Sequence, residues 1–455
     1  MRLRVALGCL LVTAACGSPT EGDDAGPRVD AGSFLFDAGS DAGVEPDAGL
    51  EADAGVDAGV VDAGFSVIRY PSGRTQSPLT SEVAAHLRSI AALAPSKNGA
   101  AFSKIGDSNT VNTSYLSCFA GPNVDLAGRS TLQPALDHFR STQSFDRTSL
   151  SATVGWSAFS PLTGTPSPLQ QEIDAAQPRY ATVMFGTNDV GFTDTHSFGR
   201  NLFTLIDTLS MQGVVPILSA IPSRDDNPTL DAWVPRYNLV ARGIAQARRV
   251  PFIDLHREWL TVPAHGLGSD GVHLNVYVPG AVRPCVLNAA GLAFGHNVRN
   301  LHTLEGLSRA WDAVEGRAAP DTTAPRIEGT GLPGDEVLIN SLPFVDVRDT
   351  RTDGVARINA YSGCASAANE SGREVLYKLE LSQPTTVRVF VVALGSADID
   401  VHLLRDVNSG QSCVVRHDKF LVRQLSAGTH YLSLDTYQSS AGVEAGEYLV
   451  GVIAE

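Results

Sequence analysis

The segment Ala100-Ala101-Phe102-Ser103-Lys104-Ile105-Gly106-Asp107-Ser108-Asn109-Thr110 decides the fold. Its first half reads as a buried strand ending at Ile105, and its second half, rich in Gly, Asp and Asn, turns the chain away from that strand. The same pattern returns downstream, where the apolar run 181–185 gives way to Gly186-Thr187-Asn188-Asp189. Further strands are expected at 214–221 and 250–255, and helical spacing over 81–93, 198–211, 237–247 and 289–314 fills the intervals. Strand and helix in alternation predict a parallel sheet with helices on both faces. Sheets of this kind gather their polar groups at the strand ends, where the loops diverge.

A third polar block, Asp270-Gly271-Val272-His273, completes a set with chemical meaning. A serine hydroxyl is a weak nucleophile until a base takes its proton, and the base needs a third group to fix its tautomer. Ser108, His273 and Asp270 supply the three. With Asp three residues before His, the carboxylate can reach Nδ1 while Nε2 faces the hydroxyl. Negative charge developing on an attacked carbonyl needs donors aimed at it. The Asn188 side chain and the Ser108 backbone N–H are the candidates, with Gly155 in Val154-Gly155-Trp156-Ser157 as a third, although Gly128 also lies in the interval.

In order and type these blocks resemble the SGNH/GDSL-type hydrolases, whose Ser, Gly, Asn and His occupy four ordered blocks on a flavodoxin-like sheet. The resemblance covers about 99–314. It implies a three-layer α/β/α domain over 65–320, with Ser108 as nucleophile, Asn188 as oxyanion donor, and Asp270 with His273 as the acid/base pair. It also implies hydrolysis of carboxylic esters of lipid or acylated carbohydrate through an acyl-enzyme, with no metal and no cofactor. One departure is an extra stretch after His273, including Pro279 and Cys285, before Asn288-Ala289-Ala290-Gly291 resumes the pattern; it is expected to form a substrate-specific loop. Two alternatives stay open. The same residues would serve an O-acyltransferase in which a sugar hydroxyl replaces water, and a surface-binding protein could carry a vestigial triad.

Composition sets the surroundings. The chain has 455 residues, 43% of them hydrophobic and 18% charged, as in ordinary globular proteins. Much of its net charge of −15 lies between Gly17 and Gly64, where twelve acidic residues meet Arg28 alone. No basic stripe exists to release phosphate counterions, so nucleic acid is not an expected partner. Arg2 and Arg4 precede an apolar run from Val5 to Val12, and Thr13-Ala14-Ala15 precede Cys16. This resembles a bacterial lipoprotein leader over 1–15, with Thr13 where such leaders usually carry Leu. The resemblance implies export, a lipid on Cys16, and a membrane-anchored place at the outer membrane or cell surface. Between 16 and 64 the tripeptide Asp-Ala-Gly occurs eight times with irregular spacers. Like charges and glycine entropy predict a disordered acidic tether there.

Without the leader and Cys16, four cysteines remain, two in each later region. An even count in an oxidising compartment predicts the disulfides Cys118–Cys285 and Cys364–Cys413. A linker is expected at 321–333, beyond which the texture becomes short alternating strands at 376–381, 387–392, 400–404, 429–434 and 448–453. These predict a separate β-sandwich over 334–455. Ala397-Asp398-Ile399-Asp400-Val401-His402-Leu403, 425–431 and Gly446-Glu447-Tyr448 resemble bacterial pre-peptidase C-terminal domains, which implies an accessory module of secreted enzymes. Asp398 and Asp400 are read as turn residues, with calcium ligation as the alternative.

Overall fold

The computed structural model describes residues 67–365 and 368–455; the leader, Cys16 and the Asp-Ala-Gly segment fall outside them. The first strands are β1 (Asn98–Gly106), β2 (Pro178–Met184), β3 (Val215–Ser219) and β4 (Phe252–Ile253). They form one parallel sheet in the order β1-β2-β3-β4. On the free edge of β1, Gly106 makes a parallel bridge with Ala152. That gives the doubly wound order in which the second segment lies outside the first, here reduced to one bridged residue and so invisible as a strand in the sequence. Helices α1 (Ser81–Ala92), α2 (Ser108–Val111), α3 (Gln133–Arg140), α4 (Pro168–Ala176), α5 (Thr195–Met211), α6 (Pro228–Asp231), α7 (Val234–Ala247), α8 (Leu255–Trp259) and α9 (Gly295–Glu315) complete this part. α1 packs with α9 and α5 with α7, and both pairs touch the sheet to make the three layers.

The last helix begins at Gly295 and not at Ala289. The Asn288 side chain accepts the N–H groups of Ala290 and Gly291 at 3.1 Å, and Phe294 is extended. The Gly295 N–H donates to Asn275 Oδ1 at 2.8 Å. Side chains thus satisfy the backbone donors locally, and the helix starts after them.

The C-terminal strands are β5 (Val337–Ile339), β6 (Phe344–Asp349), β7 (Glu374–Leu381), β8 (Thr385–Ala393), β9 (Ile399–Leu404), β10 (Cys413–His417), β11 (Phe420–Leu425), β12 (Gly428–Thr436), β13 (Gln438–Ser439), β14 (Gly442–Val443) and β15 (Glu447–Ala454). They make one sheet β10-β9-β12-β7-β5 and a second β11-β8-β15-β6. All pairs are antiparallel except β5 with β7. The two sheets close on a core that includes Val375, Tyr377, Leu403, Leu434 and Val450. Cys364–Cys413 is formed within this part. Asp400 is buried with its carboxylate on Arg416.

The sheets are separate from the parallel sheet, yet both parts lie in one compact unit. The reason is that the central strands β8 and β15 of the second sheet are apolar on both faces. Along β15, Tyr448, Val450 and Val452 enter the sandwich core, while Leu449 and Ile453 enter the core of the parallel-sheet domain. Along β8, Val389 and Val391 face one way, and Phe390 and Val392 the other. Period two thus sorts these residues between two cores. The helices meet the sheet through glycines. A Cβ at Gly199 of α5 would stand 2.7 Å from Val392 Cγ1, and one at Gly243 of α7 would collide with Val345 Cγ2. Ion pairs rim the contact, with Arg248 bridging Asp207 and Glu447. The expected linker is tied down as well: Arg69 N–H donates to Pro325 O and Ile327 N–H to Val67 O, each at 2.8 Å.

Gly243→Leu should therefore push the second sheet off α7. An overpacked interior costs about 1–3 kcal/mol, whereas Gly99→Ala, with open space around its Cβ, should cost little. Urea denaturation of the two variants checks this; equal midpoints would mean that the contact yields freely.

Candidate active site

The turn that carries Ser108 begins where β1 runs out of room. A Cβ at Gly106 would lie 2.6 Å from Met184 O and overlap the Thr110 side chain, so only glycine lets β1, β2 and α2 converge. Asp107 caps α2 by accepting the Asn109 N–H at 3.0 Å, which leaves Ser108 as the first helical residue. Asp107 is fully buried. Burial raises its pKa, opposed chiefly by the Arg299 charge.

Asp270 and His273 arrive on a loop after α8. Asp270 Oδ1 accepts the backbone N–H groups of Val272 at 3.1 Å and His273 at 3.0 Å, and Oδ2 meets His273 Nδ1 at 2.7 Å. His273 Nε2 lies 2.9 Å from Ser108 Oγ. The three sequence-predicted groups are therefore contiguous in the order required for proton transfer. Partial burial works to raise the Asp270 carboxyl, but the His273 ring and the two N–H groups outweigh it and hold it at about 2. It is an anion at any pH near neutrality, available to orient the imidazole and to balance its charge.

Asn188 begins the turn after β2. Its Nδ2 donates one hydrogen to Trp156 O at 2.9 Å, leaving the second free to face a ligand. That bond fixes the 154–158 loop, and with it Gly155, beside Asn188. Among the described residues, neither the Ser108 nor the Gly155 N–H donates a hydrogen bond. Gly128 sits elsewhere, on a loop held by Arg129 to Leu287 O at 2.8 Å.

Several supporting residues escaped the sequence reading. Asn109 Oδ1 accepts the Leu274 N–H at 3.1 Å and so joins the Ser108 turn to the His273 loop. Arg299 reaches from α9 to Asn109 O at 2.7 Å and Thr110 Oγ1 at 3.0 Å, its guanidinium lying 3.6 Å from the Tyr115 ring centroid. Asp189 accepts the Ala158 N–H at 3.0 Å and clamps the far end of the Gly155 loop. Arg224 donates to Thr187 O at 2.7 Å and pairs with Asp226. Only Asn109 and Asp189 carried a signal, as neighbours of motif residues. Cys118–Cys285 is formed and spans 167 residues of sequence. It joins the segment after α2 to the stretch that follows His273, where Asp125 and Val286 form a parallel bridge.

Among solved structures, a catalytic mutant of an acetylxylan esterase from Geobacillus stearothermophilus is 14% identical over 45% of this chain and 93% of its own, with a TM-score of 0.31. A GDSL-like lipase from Bacteroides thetaiotaomicron is 14% identical over 50% and 98%, with a TM-score of 0.32. No curated protein is matched by the sequence. Residues 105–277 match the GDSL-like Lipase/Acylhydrolase family. They form a GDSL-like lipase/acylhydrolase domain, a domain of the ester-hydrolase type.

Burial pushes the Asp189 carboxyl up to about 7 from an ordinary 3.8, against the Ala158 N–H that favours its anion. The folded chain then keeps a proton that the unfolded chain releases, so this group's contribution makes stability fall as pH rises from about 4 to about 7, and levels off above. Asp189→Asn removes the titration. Its stability relative to the parent should rise between pH 5 and pH 8, read from urea midpoints; a constant difference would show that the carboxyl is ionised throughout.

Proposed function

We propose that this protein is an exported serine esterase, tethered to the membrane through a lipid on Cys16, that cleaves carboxylic esters by way of an acyl-enzyme on Ser108. The observation that carries the catalytic reading is the unbroken relay Asp270–His273–Ser108, with contacts of 2.7 and 2.9 Å. The lipoprotein reading rests on the basic, apolar and small-residue succession that ends at Cys16.

Ser108 Oγ attacks the ester carbonyl as His273 Nε2 takes its proton, and Asp270 balances the imidazolium. The carbonyl oxygen becomes an oxyanion received by the N–H groups of Ser108 and Gly155 and by Asn188 Nδ2. Collapse of this intermediate breaks the bond to the alcohol oxygen, to which His273 returns the proton. Water then attacks the acyl-serine, giving its proton to Nε2, and the second collapse releases the carboxylic acid and restores Ser108. Fixed donors in place before charge develops are worth more than water because they need not reorganise.

Ser108→Ala should abolish turnover of 4-nitrophenyl acetate and labelling by a fluorophosphonate probe while the circular dichroism stays unchanged. Turnover retained above a few per cent would reject Ser108 as nucleophile. Asn188→Ala should lower kcat by roughly a hundred- to a thousandfold, the usual loss for one oxyanion donor, with KM nearly constant. A rise in KM alone would make Asn188 a ground-state contact. Cys16→Ser should release the protein from the membrane fraction or block its processing. A variant still membrane-bound and normally processed would remove the lipid from the scheme.

A further inference from the structure

A groove follows the seam where β11-β8-β15-β6 rests on α5 and α7. Its first part, a cavity of about 250 Å³, is lined by Thr193, His196, Trp233, Arg236, Lys419 and Phe420 among others. A second, of about 280 Å³, shares His196 and Lys419 with the first and runs on to Asp398. None of these residues belongs to the relay. One end of the groove nevertheless lies a short way along the chain from Asn188. A single 3₁₀ turn, Asp189–Phe192, separates Asn188 from Thr193, and five residues at that rise span about 10 Å. The N-terminus of α5 opens at the same end of the sheet as the oxyanion donor.

The lining has the mixed character of a polyhydroxylated ligand's partner. The Trp233 ring carries the Arg236 guanidinium at 4.2 Å, and Phe420 is 45% exposed beside Arg388. An acyl chain laid here would strip water from Lys419, Asp418 and Asp194 and give no hydrogen bonds in return. A sugar ring offers apolar C–H faces to the aromatics and hydroxyls that both donate and accept at its edge. Charge points the same way. Arg236 and Arg388 share the Glu455 carboxylate, and Lys419 has Asp418 beside it at 4.0 Å. The groove is thus nearly balanced in charge and suits a neutral saccharide better than an anionic headgroup.

We propose that this seam is a saccharide-binding groove and that the substrate is an acylated polysaccharide, its backbone held along the groove while an ester group enters the site at Ser108. The inference rests on the serine-esterase reading above and adds the substrate class. The sandwich then has a direct part in recognition, and its gain is effective concentration of the ester at the nucleophile.

The test uses the full chain, the double variant Phe420→Ala/Lys419→Ala, and three probes: chemically acetylated xylan, 4-nitrophenyl acetate and phosphatidylcholine vesicles. Both substituted side chains are exposed and remote from the relay, and thermal melting checks that the fold is kept. The parent should deacetylate the xylan with a KM that rises about tenfold in the variant, the scale of one lost aromatic platform contact. Its kcat, and turnover of 4-nitrophenyl acetate, should stay constant. Ser108→Ala should be retained on insoluble xylan, and the triple variant should not. An unchanged KM on xylan, an equal loss on the small ester, a loss confined to vesicles, or a parent inert on acetylated xylan would each overturn the groove. A parent inert on 4-nitrophenyl acetate yet retained on xylan would instead sink the serine-esterase reading and leave saccharide binding standing.

Discussion

One buried guanidinium holds the site in register. Arg299 is withdrawn from water on α9, where an uncompensated charge would cost several kcal/mol. What compensates it is the Ser108 turn and its surroundings: the Asn109 carbonyl, the Thr110 hydroxyl, the face of Tyr115 and the field of Asp107. The last helix of the domain and the turn after its first strand are therefore conditions of each other's burial. Asn109 passes the constraint on by accepting the Leu274 N–H directly behind His273. Two segments more than 160 residues apart, 108 and 273, are brought to a contact of 2.9 Å by this chain of satisfied polar groups. The disulfide Cys118–Cys285 closes the same pair of segments from outside.

On the opposite flank the constraint is apolar. The sheet that backs the β-sandwich has no solvent face where it meets α5 and α7, because Phe390, Val392, Leu449 and Val345 fill the space between those helices. Burial of such side chains is worth about 1.5–3 kcal/mol each, so the contact exceeds what a tethered accessory module needs. It also fixes the height of the seam, and with it the position of Trp233 and Phe420 relative to Asn188.

The grouping of the candidate site was legible in the sequence because short polar motifs at strand ends carry their chemistry locally. Ser108, Asp270 and His273 needed only their neighbours to be read, and the parallel sheet followed from apolar runs alternating with helical spacing. What stayed hidden depends on distant partners. Arg299 has no motif around it, and its role exists only once α9 lies beneath Tyr115. The strand reduced to Ala152 has no run of residues to announce it. The start of α9 was misread because Asn275 and Asn288, side chains from other loops, satisfy the donors that a longer helix would have used. In the sandwich, β8 and β15 alternate correctly, but alternation cannot say that both faces end in a core.

Two positions bear on how far the two parts can be exchanged. Gly199 and Gly243 lie on surfaces that a hydrolase domain standing alone would expose to water, where a helix interior favours alanine by about 1 kcal/mol over glycine. Here they are the hollows into which Val392, Val345 and Leu449 fit. Each half thus carries the complement of the other, and a chimaera that swaps either one would have to keep glycine at 199 and 243 or place smaller side chains opposite them.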